Sequence, residues 1–310
     1  MALISGDALS GVVRELSRRN VKLYHACQLS DLGSYLDVGG VPSRNLLATR
    51  ALPYTAFDMD ARDRENGVWS LVFFNLSDFG YWFSQGKNTV PNPYGPVLLG
   101  FDPTVICQAV DVAIALKSAA AKGFDRITEG INANDLPRLF TGADGSRIRF
   151  NGDLGEEFDV PEARPPEMSC SFHDELAPLS HLVYIRVDPY TFSTGTLPDI
   201  VRRTVEEHHG SWRVFERSCS DGCETRYQIL LDTIIKGVRT PRDLARAIPE
   251  GSPLASWRDQ IVSGRNLPSQ FKRYATYFFE GTIRHCVKGR DHGALGLSPG
   301  TGRIVSLPIW

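Results

Sequence analysis

Four groups of residues in this 310-residue chain have the types and spacing to do chemistry. Tyr24-His25 closes a short apolar/polar alternation and is followed, after a helical stretch, by Gly39-Gly40-Val41-Pro42-Ser43-Arg44. An imidazole at a strand end either meets a ligand or is satisfied by a backbone carbonyl. Glu175, in Phe172-His173-Asp174-Glu175-Leu176, sits where a turn meets a strand. A carboxylate there can stabilise positive charge that develops in a reaction and take a proton from a nucleophile, or it can be an ordinary exposed turn acid. Arg62 and Arg64 lie in Asp58-Met59-Asp60-Ala61-Arg62-Asp63-Arg64-Glu65-Asn66. A guanidinium has paired donors that suit a pyrophosphate or a carboxamide, and in a solvated segment it makes only weak surface pairs. The fourth group is His208, Cys219 and Cys223 with Cys286 or His285. Cys219-x-x-x-Cys223 has a zinc-ligand spacing, but zinc sites of this kind show two tight pairs and this chain has one, so no metal is expected.

The elements that must position these residues follow from periodicity. Leu9, Val12, Val13 and Leu16 mark an amphipathic helix over 7–19, with Asn20 as its stop. Val21 to His25 reads as a strand. A helix follows, with Ser30 as its cap, Leu32, Tyr35 and Leu36 on one face, and Gly39 as its left-handed stop. Residues 44–66 read as irregular. Val68 to Asn75 is the strongest strand signal, and Pro96 to Asp102 is the next strand. Between them Phe79, Tyr81, Trp82 and Phe83 crowd together, then a Gly/Pro loop runs from Gln85 to Pro96. Ile106 to Lys122 reads as a helix ended by Gly123, Asn134 to Phe140 as a short helix, Ala143 to Ser146 as a hairpin turn, and Arg147 to Phe150 as a strand. The acidic, Pro-rich 152–166 reads as an exposed loop, and Leu182 to Val187 as an apolar strand. Beyond Tyr190 the pattern turns helical: Asp199 caps 200–209, 224–236 is apolar-periodic, Thr240-Pro241 starts another helix, and 269–288 is aromatic-rich.

Composition narrows the class. The chain is 42% hydrophobic and 23% charged, which suits a soluble protein with ample core. No apolar run is long enough to span a bilayer, and the first residues lack the basic start and apolar stretch of a signal peptide, so a cytoplasmic protein with no membrane partner is expected. Six scattered cysteines read as reduced thiols. From residue 190 onward there are 17 Lys/Arg against 12 Asp/Glu, whereas the front is acidic. A basic back half, with Arg202, Arg203, Arg213, Arg217, Lys272 and Arg273 near Trp212, Tyr274 and Tyr277, could supply phosphate contacts and stacking platforms, or be a solvated helical surface.

The opening Tyr24-His25, short helix and Gly39-Gly40-Val41-Pro42-Ser43-Arg44, followed later by aromatic-x-Asp-Glu-apolar and an apolar strand, resembles the NAD-dependent ADP-ribosyltransferases, and most of all their DarT-like, nucleic-acid-modifying branch. The resemblance implies an α+β fold with a split β-sheet core and flanking helices. Residues 1–190 would form the catalytic domain, and 191–310 a mostly helical extension packed on it. It implies NAD as substrate, with Tyr24, His25, Gly40, Ser43, Arg44 and the stacking aromatic Tyr81 around it, an Arg of the 62–64 segment in contact with it, and Glu175 as the catalytic carboxylate. The implied activity is transfer of ADP-ribose to a nucleic-acid base with release of nicotinamide, DNA and single strands being favoured, in a toxin or defence effector that would need an antitoxin. Two alternatives stay open on the residues alone. The acceptor could be RNA, protein or a small molecule. The chain could also be a non-catalytic nucleic-acid-binding regulator.

Overall fold

The computed structural model describes residues 3–57, 59–78, 94–151, 157–161, 166–192, 195–217, 277, 281 and 282. In chain order these form β1 (Ile4–Ser5), α1 (Asp7–Arg18), β2 (Leu23–Cys27), α2 (Leu29–Val38), β3 (Gly40–Pro42), α3 (Arg44–Thr49), α4 (Asp60–Glu65), β4 (Val72–Asn75), β5 (Val97–Phe101) and β6 (Ala109–Ala115). There follow β7 (Arg149–Asn151), β8 (Glu157–Asp159), β9 (Glu167–Phe172), β10 (Leu176–Pro178), β11 (Leu182–Val187), β12 (Thr191–Phe192), β13 (Gly195–Thr196), α5 (Leu197–Glu207) and β14 (Arg213–Glu216).

Eight strands make one mixed sheet in the order β1-β6-β9-β4-β2-β5-β11-β14, antiparallel except for the β11–β14 pair. The sheet is split in the middle. β2 and β5 are paired over five residues and β4 and β9 over four, but β2 and β4 meet only at Tyr24↔Asn75. The fold is α+β with a split sheet, as the resemblance implied. The core packs α1 through Leu9, Val12 and Leu16, and α2 through Leu32, Tyr35 and Leu36, against the sheet residues Leu23, Phe74, Leu99, Phe101 and Ile185. Burying each large apolar side chain contributes roughly 1.5–3 kcal/mol before conformational entropy is counted.

Several elements differ from the sequence expectation. The stretch 106–122 is not a helix: a 3-10 turn over Pro103–Gln108 leads into β6. Val110, Val112 and Ile114 are β-branched, and a short apolar run of this kind cannot be told from a buried helix by periodicity alone. Residues 68–71 form a turn, so β4 starts only at Val72. Residues 44–66 are not irregular throughout, since they hold α3 and α4. The helix after β2 is capped by Gln28 rather than Ser30, with the Asp31 carboxylate accepting the Gln28 N–H at 3.2 Å. Its stop at Gly39 (φ 74°) is as expected. Strand β9, whose Met168, Cys170 and Phe172 point into the core, had no counterpart in the sequence reading, and neither did β8. The helix expected from Asp199 begins earlier, at Leu197, because the Thr196 hydroxyl accepts the Asp199 N–H.

The sheet also runs past residue 190, because β14 pairs in parallel with β11 and α5 packs beside it. Tyr81 and the Phe79–Phe83 aromatics, the Cys219/Cys223 pair and the helices read at 224–236 and after Thr240 lie outside the described residues. Of the 269–288 stretch, Tyr277, Gly281 and Thr282 are described, and they return to the site.

Candidate active site

The split between β2 and β4 leaves backbone groups without ladder partners, and a side chain fills the gap. His25 Nδ1 lies 2.8 Å from the Phe73 carbonyl, and Nε2 lies 3.2 Å from the Tyr35 hydroxyl. A carbonyl only accepts, so Nδ1 carries the proton and Nε2 accepts from Tyr35. Burial pushes the His25 pKa down to about 4, outweighing the Phe73 bond, and the nearby Arg44 charge acts in the same direction. The ring is therefore neutral at pH 7, a fixed polar group rather than a cation.

The ordinary His value is 6.5, so between pH 6.5 and about 4 the unfolded chain binds the extra proton and the folded one does not. His25 stabilises the fold above this window, and that contribution fades as pH falls through it. His25→Gln is expected to lose less stability than the wild type between pH 6.5 and pH 4, read from urea midpoints. Equal losses in the two proteins would overturn the assignment. The wild-type/variant difference isolates His25 from Glu167, whose raised pKa acts with the opposite sign.

Among the described residues, Arg44 is the cation that lines the cleft. Its Nη1 donates to the Thr55 carbonyl at 3.0 Å, and its guanidinium lies over the rings of Phe57 (4.7 Å) and Tyr54 (5.4 Å). Burial works against its charge, but Asp31, Tyr35 and Asp60 more than offset this, so its pKa is raised further. Asp31 is fully buried and accepts from the Thr55 N–H at 2.6 Å and the Gln28 N–H. Burial still lifts its pKa. The α2 start is closed from far along the chain: Thr282 Oγ1 donates to Gln28 Oε1 at 2.7 Å and accepts the Leu29 N–H at 3.3 Å. Tyr277 packs edge-on against Phe57, with ring centroids 4.7 Å apart.

Glu175 is held where two distant segments meet. β3 and β10 pair through Leu176↔Pro42, Ala177↔Val41 and Pro178↔Gly40. Gly40 is needed there, because a Cβ would come within 2.5 Å of Leu176 Cγ and 2.6 Å of the Ala177 oxygen. The pairing sets the half-buried Glu175 carboxylate beside α3, where it accepts from the Ser43 hydroxyl and from Asn45 Nδ2 at 3.0 and 3.1 Å. Ser43 N–H also donates to the Glu175 carbonyl at 2.8 Å. Glu175 has φ +53°, in the left-handed region that a non-glycine residue seldom occupies. Such positions cluster at functional sites, where the surrounding structure holds them.

A cleft of about 240 Å³ opens over the split. Its lining includes His25, Asp31, Tyr35, Arg44, Trp69, Asn75, Ala119 and Glu167, with Phe57 and Tyr94 among the aromatic residues. Of the residues picked from sequence, His25 and Arg44 line the cleft, and Ser43 and Glu175 meet beside Arg44. Tyr24 lies away from it, buried with Leu98 and Tyr184 and bonded to the Tyr184 hydroxyl at 3.3 Å. Arg62 and Arg64 are exposed on α4 and do not line it: Arg62 reaches the Ala120 carbonyl at 3.4 Å, and Arg64 lies over the Trp69 ring at 4.0 Å. His208 bonds the Thr204 carbonyl and Asp37. Sequence reasoning missed Asp31, Tyr35, Asn45 and Glu167. Asp31 and Asn45 carried a local signal, each lying within a few residues of a motif already singled out.

No family model and no curated protein matches the chain. Among solved structures, a Thermus sp. 2.9 DarT in complex with ADP-ribosylated ssDNA aligns over 63% of this chain and 93% of its own, at 12% identity and a TM-score of 0.39. The same protein in complex with NAD+ aligns over 63% and 94%, at 12% identity and a TM-score of 0.36. A Thermosipho africanus DarTG in complex with ADP-ribose aligns over 63% of this chain and 49% of its own, at 12% identity and a TM-score of 0.37.

Proposed function

We propose that the chain is an NAD-dependent ADP-ribosyltransferase that transfers ADP-ribose to a nucleic-acid base, single-stranded DNA being the favoured acceptor. One observation carries the reading. The two sequence segments that resemble this family, centred on Ser43-Arg44 and on Glu175, are 132 residues apart and share a hydrogen bond beside the cleft. The residues present fit the substrate. His25 and Arg44 would hold NAD, the guanidinium serving its negative charge and the neutral imidazole its hydroxyls. Cleavage of the nicotinamide–ribose bond develops positive charge on the ribose, as in glycoside hydrolysis. The Glu175 carboxylate, fixed by Ser43 and Asn45, would stabilise that charge without having to reorganise. A role as a cytoplasmic toxin restrained by an antitoxin belongs to the same proposal, resting on the sequence resemblance alone.

The test uses the full chain with labelled NAD and separate pools of single-stranded DNA, duplex DNA, RNA and protein. Label is expected in the single-stranded DNA pool, with stoichiometric nicotinamide. Label in RNA or protein alone would correct the acceptor. No nicotinamide release with any pool would overturn the transferase reading and favour a binding protein.

A further inference from the structure

A guanidinium that is to meet a bound anion has to be aimed, and Arg44 is held by two relays that begin far along the chain. The first starts at Thr282. Its Oγ1 donates to Gln28 Oε1 at 2.7 Å and accepts the Leu29 N–H at 3.3 Å, across 254 and 253 residues of sequence. These bonds fix the first turn of α2, which carries Asp31. The Asp31 carboxylate accepts the Gln28 N–H at 3.2 Å and the Thr55 N–H at 2.6 Å, and the Thr55 carbonyl accepts Arg44 Nη1 at 3.0 Å. The second relay starts at Tyr277, whose ring packs edge-on against Phe57 at 4.7 Å between centroids. The Arg44 guanidinium lies over that same Phe57 ring, also at 4.7 Å.

Gly281, next to Thr282 in sequence, presses on the first relay by close approach. A Cβ there would come within 2.4 Å of Thr55 Oγ1 and 2.5 Å of Gln28 Cβ. Thr55 Oγ1 is itself held by the Ser30 hydroxyl at 3.2 Å, so it has little room to give. Thr282, Gln28, Asp31 and Thr55 are all buried, so water does not stand in for a lost partner. Tyr277, Gly281 and Thr282 do not line the cleft, whereas Asp31, Arg44 and Phe57 do.

We infer that Tyr277, Gly281 and Thr282 are positioning residues for the NAD subsite, clamping the start of α2 and the Phe57 ring and through them aiming the Arg44 guanidinium at the negative charge of the dinucleotide. The inference rests on the transferase reading. An arginine side chain that is ordered only when its ligand arrives loses affinity to that ordering, and one already held does not. A hydroxyl with a merely structural role would affect stability. A positioning hydroxyl also affects NAD affinity, and does so only while Arg44 is present.

The experiment uses the full chain. The NAD dissociation constant is measured by calorimetry alongside steady-state nicotinamide release, at a temperature where melting curves show each protein folded. Thr282→Val keeps the shape and removes the hydroxyl. It is expected to raise the Kd and KM for NAD about tenfold, the upper scale of one lost hydrogen bond, with kcat close to wild type. Thr282→Ser keeps the hydroxyl and should bind NAD as wild type does. Tyr277→Leu and Gly281→Ala disturb the same wall by packing, and should move Kd in the same direction even where Thr282→Val does not fold. The deciding measurement repeats Thr282→Val on an Arg44→Gln background. There it should weaken NAD binding no further, whereas effects independent of Arg44 would add to within about twofold. Asp159→Ala, a destabilising change away from the cleft, should keep the wild-type Kd. Unchanged NAD affinity in Thr282→Val, Tyr277→Leu and Gly281→Ala overturns the inference. So does an equal loss from Thr282→Val with and without Arg44, or a matching loss in Asp159→Ala. In each of these cases a wild type that binds NAD and releases nicotinamide leaves the transferase reading standing. A wild type that does neither refutes both.

Discussion

Glu175→Gln is expected to lower nicotinamide release about 10³-fold, the scale on which a preorganised charge acts. The carboxylate is held by a hydroxyl and an amide, both donating to it, and glutamine keeps its shape while removing the charge. The fold should barely change. Glu175 is half-buried, its backbone bonds to Ser43 and Phe172 are untouched, and exchanging one part-buried hydrogen-bonding group for another costs about 1 kcal/mol. Melting temperature and NAD binding by calorimetry should therefore stay near wild type while turnover collapses. Turnover within threefold of wild type would remove Glu175 from the chemistry and with it the strongest support for the proposed reaction.

Asp159→Ala is expected to destabilise the fold by about 3–5 kcal/mol, because it breaks a buried ion pair by removing one partner. Asp159 is 2% exposed and accepts from Arg19 Nη1 at 2.6 Å and from Arg147 Nε and Nη2 at 2.9 Å. Arg19 is buried too and shares Glu15 at 2.7 Å. Alanine would leave a buried guanidinium with one carboxylate where it had two. The triad joins the C-terminal cap of α1 (Arg19) and the segment before β7 (Arg147) to β8 (Asp159), and none of its members lines the cleft. Catalysis per folded molecule should thus survive at low temperature while the urea midpoint drops. A loss under about 1 kcal/mol would place this network with surface pairs, whose worth is small.

What could be read from sequence was local. The β2–α2–Gly39 unit showed itself because a strand alternation, a helical face and a left-handed stop all fall within twenty residues. Ser43, Arg44 and Glu175 stood out by motif, and the structure brings them to one place. The acidic 152–166 segment read as exposed, yet Asp159 is among the most buried carboxylates, because its partners Arg19 and Arg147 lie in other elements. β6 was read as helix because Ala109–Ala115 is a short apolar run broken only by Asp111, which periodicity cannot tell from a helix, and pairing with β1 and β9 decides that it is a strand. β9 was missed because Ser169, Cys170 and Ser171 have little strand preference of their own, and pairing on both sides decides their conformation. Glu167 gave no signal at all. Its character comes from burial and from a neighbour, Ala119, that no local pattern links to it.

The cap that Thr282 places on the first turn of α2 spans 253 residues of sequence. During synthesis from the N-terminus, α2, β2 and the Ser43-Arg44 turn leave the ribosome long before residue 282 exists. The Leu29 N–H and the Gln28 side chain must wait for that partner. The cleft wall formed by Phe57 is likewise unsupported until Tyr277 arrives. A nascent chain would therefore carry all the catalytic candidates, from His25 to Glu175, without the last contacts that fix them. The order of synthesis would thus delay completion of the site until residue 282 has been made.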